Sequence, residues 1–230
     1  ESSAALREEH FDREPPNWEG INNRNQFFES RQVVQDFRYS PQTARAGGAK
    51  GELGGRLNPA GEPAYYAYRL PKPLTFDSEL SAEGSIYVAL GAGHFLLGFF
   101  NPETLKEWRT ANSLVVRINS RGETSHFHFE YCTSKWRANA GVIGEIVPGE
   151  RINAKEIPNG KVLPWRLSCD PKGAGTMTFS LGDTTARCEL QPDHRADGAT
   201  FTHFGLIPIP KTWDGAGEMW IDNLKVNGHE

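Results

Sequence analysis

Ser125-His-Phe-His-Phe-Glu-Tyr-Cys132 alternates polar and aromatic residues along its whole length. Side chains two apart on a β-strand share a face, so this period of two reads as a strand with Phe127, Phe129 and Tyr131 turned to a core and His126, His128 and Glu130 turned away from it. The same pattern recurs on both sides at Ala64 to Arg69, Gly84 to Ala89, His94 to Phe100, Ser113 to Asn119, Trp136 to Ile143, Trp165 to Asp170, Thr176 to Leu181, Ala186 to Leu190, Phe201 to Pro208 and Glu218 to Val226. Between these runs, Asn119-Ser-Arg-Gly122, Asp170-Pro-Lys-Gly173 and Leu181-Gly-Asp183 supply the Gly, Pro, Asn and Asp of tight hairpin turns, so neighbouring strands should pair antiparallel. Only Ser2 to His10 and Pro102 to Trp108 read as helical. The expectation is an all-β, two-sheet antiparallel sandwich.

A chain of 230 residues with 37% hydrophobic content, including 13 Phe and 6 Trp, carries enough apolar volume for one sizeable core. Gly47 to Gly61 reads as a glycine-rich loop, and the 37 residues before the Gly- and Pro-rich region are too few for a core of their own. Residues 1–37 are therefore read as an arm laid on a single domain of residues 38–230. The net charge of -4 lacks the basic surplus that a phosphate backbone requires, which argues against nucleic acid as a partner. The longest apolar runs, such as Phe95 to Phe100, fall far short of the roughly 20 residues that span a bilayer. Because numbering opens at Glu1, the chain is read as a mature or trimmed form. Three cysteines are too few for a disulfide scaffold; Cys169 and Cys188 could pair across a sheet, the alternative being three buried thiols.

Trp165 to Asp183 reads W-R-L-x-x-D-x-x-G-x-G-T-M-T-F-S-L-G-D, and the chain closes on G-E-M-W-I-D-N-L-K-V-N-G. These segments resemble the concanavalin A-like lectin and glucanase superfamily of LamG-like jelly rolls, and the likeness runs from about Tyr65 onward. A narrower likeness is to a group of secreted bacterial proteins, carried by Phe11 to Arg24, Gly54 to Ala67, Gly98 to Asn101, Asn112 to Leu114 and Gly198 to Leu206. It implies secretion or a periplasmic location, and chemistry on glycans. The chain departs from the laminarinase-like members in lacking their E-x-D-x-x-E strand, which puts retaining hydrolysis by that scheme in doubt.

If the strands at His94, Ser113 and Ser125 form a meander, His94, Arg117 and Asn119 join His126, His128 and Glu130 on one face, with strand spacings of roughly 4.8 Å. Lys135, Arg137 and Asn139 alternate with Trp136 in the same sense. In a jelly roll this is the concave face on which sugar chains lie; the plain alternative is a solvated sheet face. His126, His128 and Glu130, joined by His94 or His203, offer the N and O ligands that a divalent transition metal accepts. Without a metal, β-elimination needs a cation or amide for a uronate carboxylate, here Arg117, Arg137 or Asn139, and His126 or His128 to take the C5 proton. Tyr65 or Tyr66 would return a proton to the leaving oxygen. Hydrolysis instead needs two carboxylates about 5–10 Å apart, Glu130 with one of Glu52, Glu62, Glu145 or Asp222. Trp108, with Arg109 and Asn112 beside it, Asn101, and Arg56 between flanking glycines complete the substrate-binding candidates. The functional expectation is a carbohydrate-active protein that cleaves a polysaccharide or oligosaccharide, elimination ahead of hydrolysis. Its alternative is a non-catalytic carbohydrate-binding or adhesion module. Neither scheme requires a cofactor, a divalent metal ion being the one optional addition.

Overall fold

Fifteen strands of three or more residues, with the two-residue strand Ile157–Pro158 on the edge of one of them, build two stacked antiparallel sheets in the computed structural model, which describes residues 7–28, 32–145, 153–211, 213 and 215–227. In chain order they are β1 (Arg7–Glu9), β2 (Trp18–Ile21), β3 (Asp36–Ser40), β4 (Glu52–Leu57), β5 (Tyr65–Leu74), β6 (Leu80–Val88), β7 (Gly91–Phe100) and β8 (Ser113–Gly122). There follow β9 (Thr124–Cys132), β10 (Ala138–Val142), β11 (Val162–Asp170), β12 (Thr176–Leu181), β13 (Thr184–Glu189), β14 (Phe201–Pro208) and β15 (Gly217–Val226). The front sheet runs β10-β9-β8-β7-β14-β5-β2. The back sheet runs β13-β12-β11-β6-β15-β4-β3, with β1 also on β15.

The inward faces meet as the period-two reading requires. Phe95, Leu97 and Phe99 of β7, Leu114, Val116 and Ile118 of β8, and Phe127, Phe129 and Tyr131 of β9 pack against Ile86, Trp165, Leu167, Phe179 and Ile221 of the back sheet. Phe204 joins the layers, its ring 5.0 Å from Phe99 and stacked at 6.4 Å on Trp165. Among the described residues no helix is long and apolar enough to cross a membrane.

All eleven expected strands are present, several of them longer than the alternation suggested. The largest differences among the strands lie in the N-terminal third. Glu52–Leu57, expected within a loop, is a back-sheet strand whose two glycines serve close packing: a Cβ on Gly54 would lie 2.1 Å from the Met219 carbonyl and 2.9 Å from the Trp220 ring. A glycine-rich strand without alternating apolar residues carries no period-two signal. The arm supplies edge strands β1 and β2, one to each sheet, and the boundary expected at residues 37/38 falls inside β3. Of the two expected helices, Pro102–Trp108 shrinks to a 3-10 turn over Pro102–Thr104; in Ser2–His10, residues 7–9 are strand and 1–6 lie outside the described residues. The short helix α1 (Pro192–Asp197) was not expected.

The three cysteines are free and buried. Met177 of β12 stands in register between Cys169 and Cys188, so two strand spacings, roughly 9.6 Å, separate them. A disulfide requires Cα atoms within about 7 Å, which rules out the possible pairing and leaves the alternative of three buried thiols. Burial pushes both thiols up to about 12.

Candidate functional site

The meander β7-β8-β9 sets the histidine face by register. Arg117 lies opposite His128, and Asn119 lies between His126 on one side and His94 on the other. The face is not the open surface expected from the sequence. The connection at 101–112 and residues 209–211 fold back over its middle, where Leu105 and Ile209 seal Leu96, Phe100, Val115 and Ile207 into a second small core. Alternation within strands cannot foretell which loops return over a sheet.

Beside that small core, Arg117 is the hub of a buried network. One guanidinium nitrogen, Nη2, meets Glu130 Oε1 and donates to the Trp108 carbonyl at 2.9 Å, while Nη1 stands 3.3 Å from His94 Nε2. Arg109 Nε reaches the other Glu130 oxygen at 3.3 Å. Arg117 is 7% and Glu130 3% exposed, so each holds the other's charge away from solvent. Since guanidinium can only donate, His94 Nε2 accepts and the ring is neutral. Burial, then the Arg117 charge, then His128 drive its pKa down to about 3. Trp108 roofs this group: Arg117 lies 5.1 Å from its ring centroid, Lys211 5.6 Å, and His94 meets it edge-on at 4.5 Å. Trp213 closes the far side, 5.7 Å from His94.

His128 and His126 are half-buried on the same face. Burial, followed for His128 by its histidine neighbour and Arg117 and for His126 by Arg121, lowers both imidazoles below their ordinary range. His126 Nε2 and Asn119 Oδ1 are buried without a hydrogen-bond partner among the described residues, Glu156 standing 4.0 Å from the former.

Several expected members stand elsewhere. The turn Thr133–Arg137, with Trp136 at φ 60°, resets the alternation, so β10 turns Ala140 and Val142 toward Glu130 and His128 while Asn139 opposes Tyr131. Arg137 is bound by Asp193 and Asp197 of α1, Lys135 pairs with Asp197 at 3.2 Å, and Asn139 donates to the Glu189 carbonyl. Tyr66 points into the main core against Trp18, with burial first and Glu14 second pushing its hydroxyl to about 12, so it is no proton donor to this face. Arg56 lies on β4 in the other sheet. Asn101 caps the 3-10 turn through Glu103 N, and Asn112, at φ 55°, accepts from Thr200 N; both amides are structural. Glu130 is also withdrawn from the expected metal set, since its two carboxylate oxygens are held by Arg117 and Arg109. Among the described residues no three His, Cys, Asp or Glu side chains could hold a metal ion.

Tyr65 does lie on the outer face, in a second polar group across the apolar patch. His203 Nε2 is 2.7 Å from Glu19 Oε1, and the Tyr65 hydroxyl donates to the same oxygen at 3.5 Å. Glu19 escaped sequence reading because only the pairing of β2 with β5 brings it there.

Glu52 and Asp222, expected as possible carboxylate partners, are buried on the outer side of the back sheet. Glu52 accepts from Arg45 N and Ala46 N at 2.8 and 2.7 Å. Burial raises the Asp222 carboxyl to about 6, the Asn223 N–H working against it and Glu52 adding to it. The folded state thus keeps its proton longer than the unfolded state, a stabilisation complete below the ordinary carboxylate range and lost as pH rises through about 6. Asp222→Asn is expected to stabilise the protein by about 2–3 kcal/mol at pH 8 and by nothing at about pH 3.5. Urea unfolding across this range checks it, and an equal effect at both ends would refute it.

Water-accessible chemistry concentrates at the mouth of the front face. Trp108 and Trp136, 38% and 45% exposed, flank a cleft of about 490 Å³ completed by Glu107 and Arg109. Lys106 stands 5.8 Å over the Trp136 ring.

No protein-family model and no curated protein sequence matches the chain. Among solved structures it is similar to the T. cruzi calreticulin globular domain, at 14% identity and a TM-score of 0.54 over 98% of this chain and 89% of that one. It is similar also to endo-β-1,4-glucuronan lyase from the fungus Trichoderma reesei, at 10% identity and 0.51 over 84% and 87%. A third likeness is to the Emp47p carbohydrate recognition domain, at 8% identity and 0.51 over 98% and 95%. At these identities the likeness is one of fold, and the fold is the concanavalin A-like jelly-roll sandwich.

Proposed function

We propose that the protein binds a polysaccharide or oligosaccharide chain in the Trp108–Trp136 cleft. The observation that carries this is the exposure of two tryptophans on either side of a cleft that also presents Glu107 and Arg109. Flat aromatic faces suit the C–H faces of sugar rings, and charged planar groups between them suit the hydroxyls. Arg109 is steadied for this by its bond to Glu130, and Trp108 by the cations at its ring. That a carbohydrate recognition domain and a polysaccharide lyase share the fold supports the class of ligand by analogy. The non-catalytic alternative of the sequence reading thus moves ahead of cleavage, because Arg117 and Glu130 are consumed by each other. Export to the cell exterior or periplasm belongs to the same proposal.

Affinity electrophoresis against a panel of neutral and acidic polysaccharides tests it. Trp108→Ala and Trp136→Ala are each expected to weaken binding by about 1.5–2 kcal/mol, tenfold or more, through lost stacking and apolar contact. Retention of parental affinity in both variants, or no retardation by any glycan, would defeat the proposal.

One observation favours cleavage as a second reading. His126 and His128 are held neutral beside the unpartnered Asn119 Oδ1, and a neutral imidazole is able to take a proton from a sugar carbon. Absorbance near 235 nm would report unsaturated products; if it rises, His128→Ala should abolish the rise and leave binding intact. Absence of both new absorbance and new reducing ends across the panel would remove this reading.

A further inference from the structure

The surroundings of the Trp108–Trp136 cleft carry a positive surplus. The lining itself opposes one carboxylate, Glu107, to one guanidinium, Arg109. Two exposed lysines then stand at the aromatic rings, Lys106 with its ammonium 5.8 Å over Trp136 and Lys211 with its own 5.6 Å over Trp108. Among the described residues neither ammonium meets a carboxylate. Arg109 does reach Glu130, but that carboxylate is shared with the buried Arg117, so two guanidiniums meet one negative charge.

This surplus stands in a chain whose formal net charge is -4. The cations next to Trp136 in sequence add nothing to it, since Lys135 pairs with Asp197 at 3.2 Å and Arg137 with Asp193 and Asp197. A cation at the face of a tryptophan is attracted by the ring quadrupole without being neutralised, so it stays available to an anion. Lysine carries its charge on a flexible stem and follows an anion as it arrives. Stacking on an aromatic face takes a charged and an uncharged sugar ring alike, so the lysines and Arg109 are what can tell the two apart.

We infer, taking this cleft as the glycan site, that its ligand is an anionic glycan, carboxylated or sulfated, whose negative groups lie on Lys106, Arg109 and Lys211 while its sugar faces lie on the two tryptophans. A guanidinium suits a planar carboxylate, and the lysines serve carboxylate and sulfate equally. Arg117 and Arg137, the cations expected from the sequence for an acidic sugar, are committed to Glu130 and to α1, and these three take their place.

The test is calorimetric titration of the whole chain with a set of oligouronates, each beside its carboxyl-reduced form, and with sulfated galactan oligosaccharides beside their desulfated forms. In about 0.05 M salt the charged member of at least one pair should bind about tenfold more tightly or better, and that advantage should shrink severalfold in about 1 M salt, where charges act over only about 3 Å. Lys106→Gln/Lys211→Gln should remove most of the ratio and Lys106→Arg/Lys211→Arg should keep it. The ratio is the readout because Lys211 also steadies Trp108. An advantage confined to one set assigns that set's group to the cleft, and one shared by both assigns charge irrespective of its group. Equal affinity for charged and neutral members, or an advantage that survives Lys106→Gln/Lys211→Gln, overturns the inference; the cleft itself then stands if neutral binding still falls in Trp108→Ala and Trp136→Ala. No binding of any glycan removes the cleft and the inference together. A single-stranded oligonucleotide bound more tightly than every glycan would also overturn it.

Discussion

Replacing Glu130 by alanine is expected to destabilise the protein by about 3–5 kcal/mol, because it strands the Arg117 guanidinium in a site where only 7% of the residue meets water. The 3% exposed carboxylate takes Arg117 on one oxygen and Arg109 on the other, but the two bonds are unequal in consequence. Arg109 is half exposed, and a pair of that kind contributes at most about 1 kcal/mol. Arg117 has no such freedom: its other contacts, the Trp108 carbonyl and neutral His94, cannot balance a charge. Removing both partners should be far milder, since a buried ion pair replaced by apolar groups of similar volume is often neutral in stability. Urea unfolding of Glu130→Ala beside the Glu130→Leu/Arg117→Leu double variant therefore separates a charge left alone from a contact merely lost. A loss under about 1 kcal/mol in the single variant would mean that the face is open to water, as the sequence alone suggested. The single variant should also loosen Trp108 and Arg109, so weaker glycan binding is expected at temperatures where it is still folded.

Gly98→Ala is expected to cost about 3–4 kcal/mol, the sum of a backbone term and a steric one. Gly98 sits in β7 at the middle of the front sheet with φ 156°, which swings the Cβ position toward β8, where it would lie 2.3 Å from the Leu114 carbonyl and 2.8 Å from the Val115 Cα. The atoms in the way are backbone of a central strand, so no side-chain rotation relieves them. Gly122 provides the control, having φ 103° with nothing within 4 Å of its Cβ position. Gly122→Ala should accordingly show the conformational term alone, about 1–2 kcal/mol. Equal denaturation midpoints for the two variants would refute the steric argument.

The outward row of β9 illustrates how much of the site was legible. A strand's alternation is a local property, so His126, His128 and Glu130 could be placed on one face from eight residues of sequence; the short hairpin turn then placed Arg117 and Asn119 beside them, and the assumed meander placed His94. Alternation fails wherever a turn inserts or removes one residue. Trp136 at positive φ shifted β10 by one position and carried Asn139 away from the histidines, while Arg137 went to α1, whose carboxylates lie 56 and 60 residues further along the chain. Tyr65 and Tyr66 show the same parity at the other edge: adjacent residues must point to opposite faces, and only the pairing of β5 with β14 and β2 decides which faces the core.

By itself, then, the sequence determined the all-β class, eleven strands and their inward residues, because period-two burial is written into each segment without reference to any other. It determined also that the histidines face away from the main core. Tertiary structure alone decided whether that face is wet. The return of the 101–112 connection and of residues 209–211 buries Arg117 and Glu130 against each other and leaves Trp108 at the rim, a result of contacts between separate segments. It decided too that Glu19 joins His203, since neighbours across a sheet are fixed by strand order, which no single strand encodes.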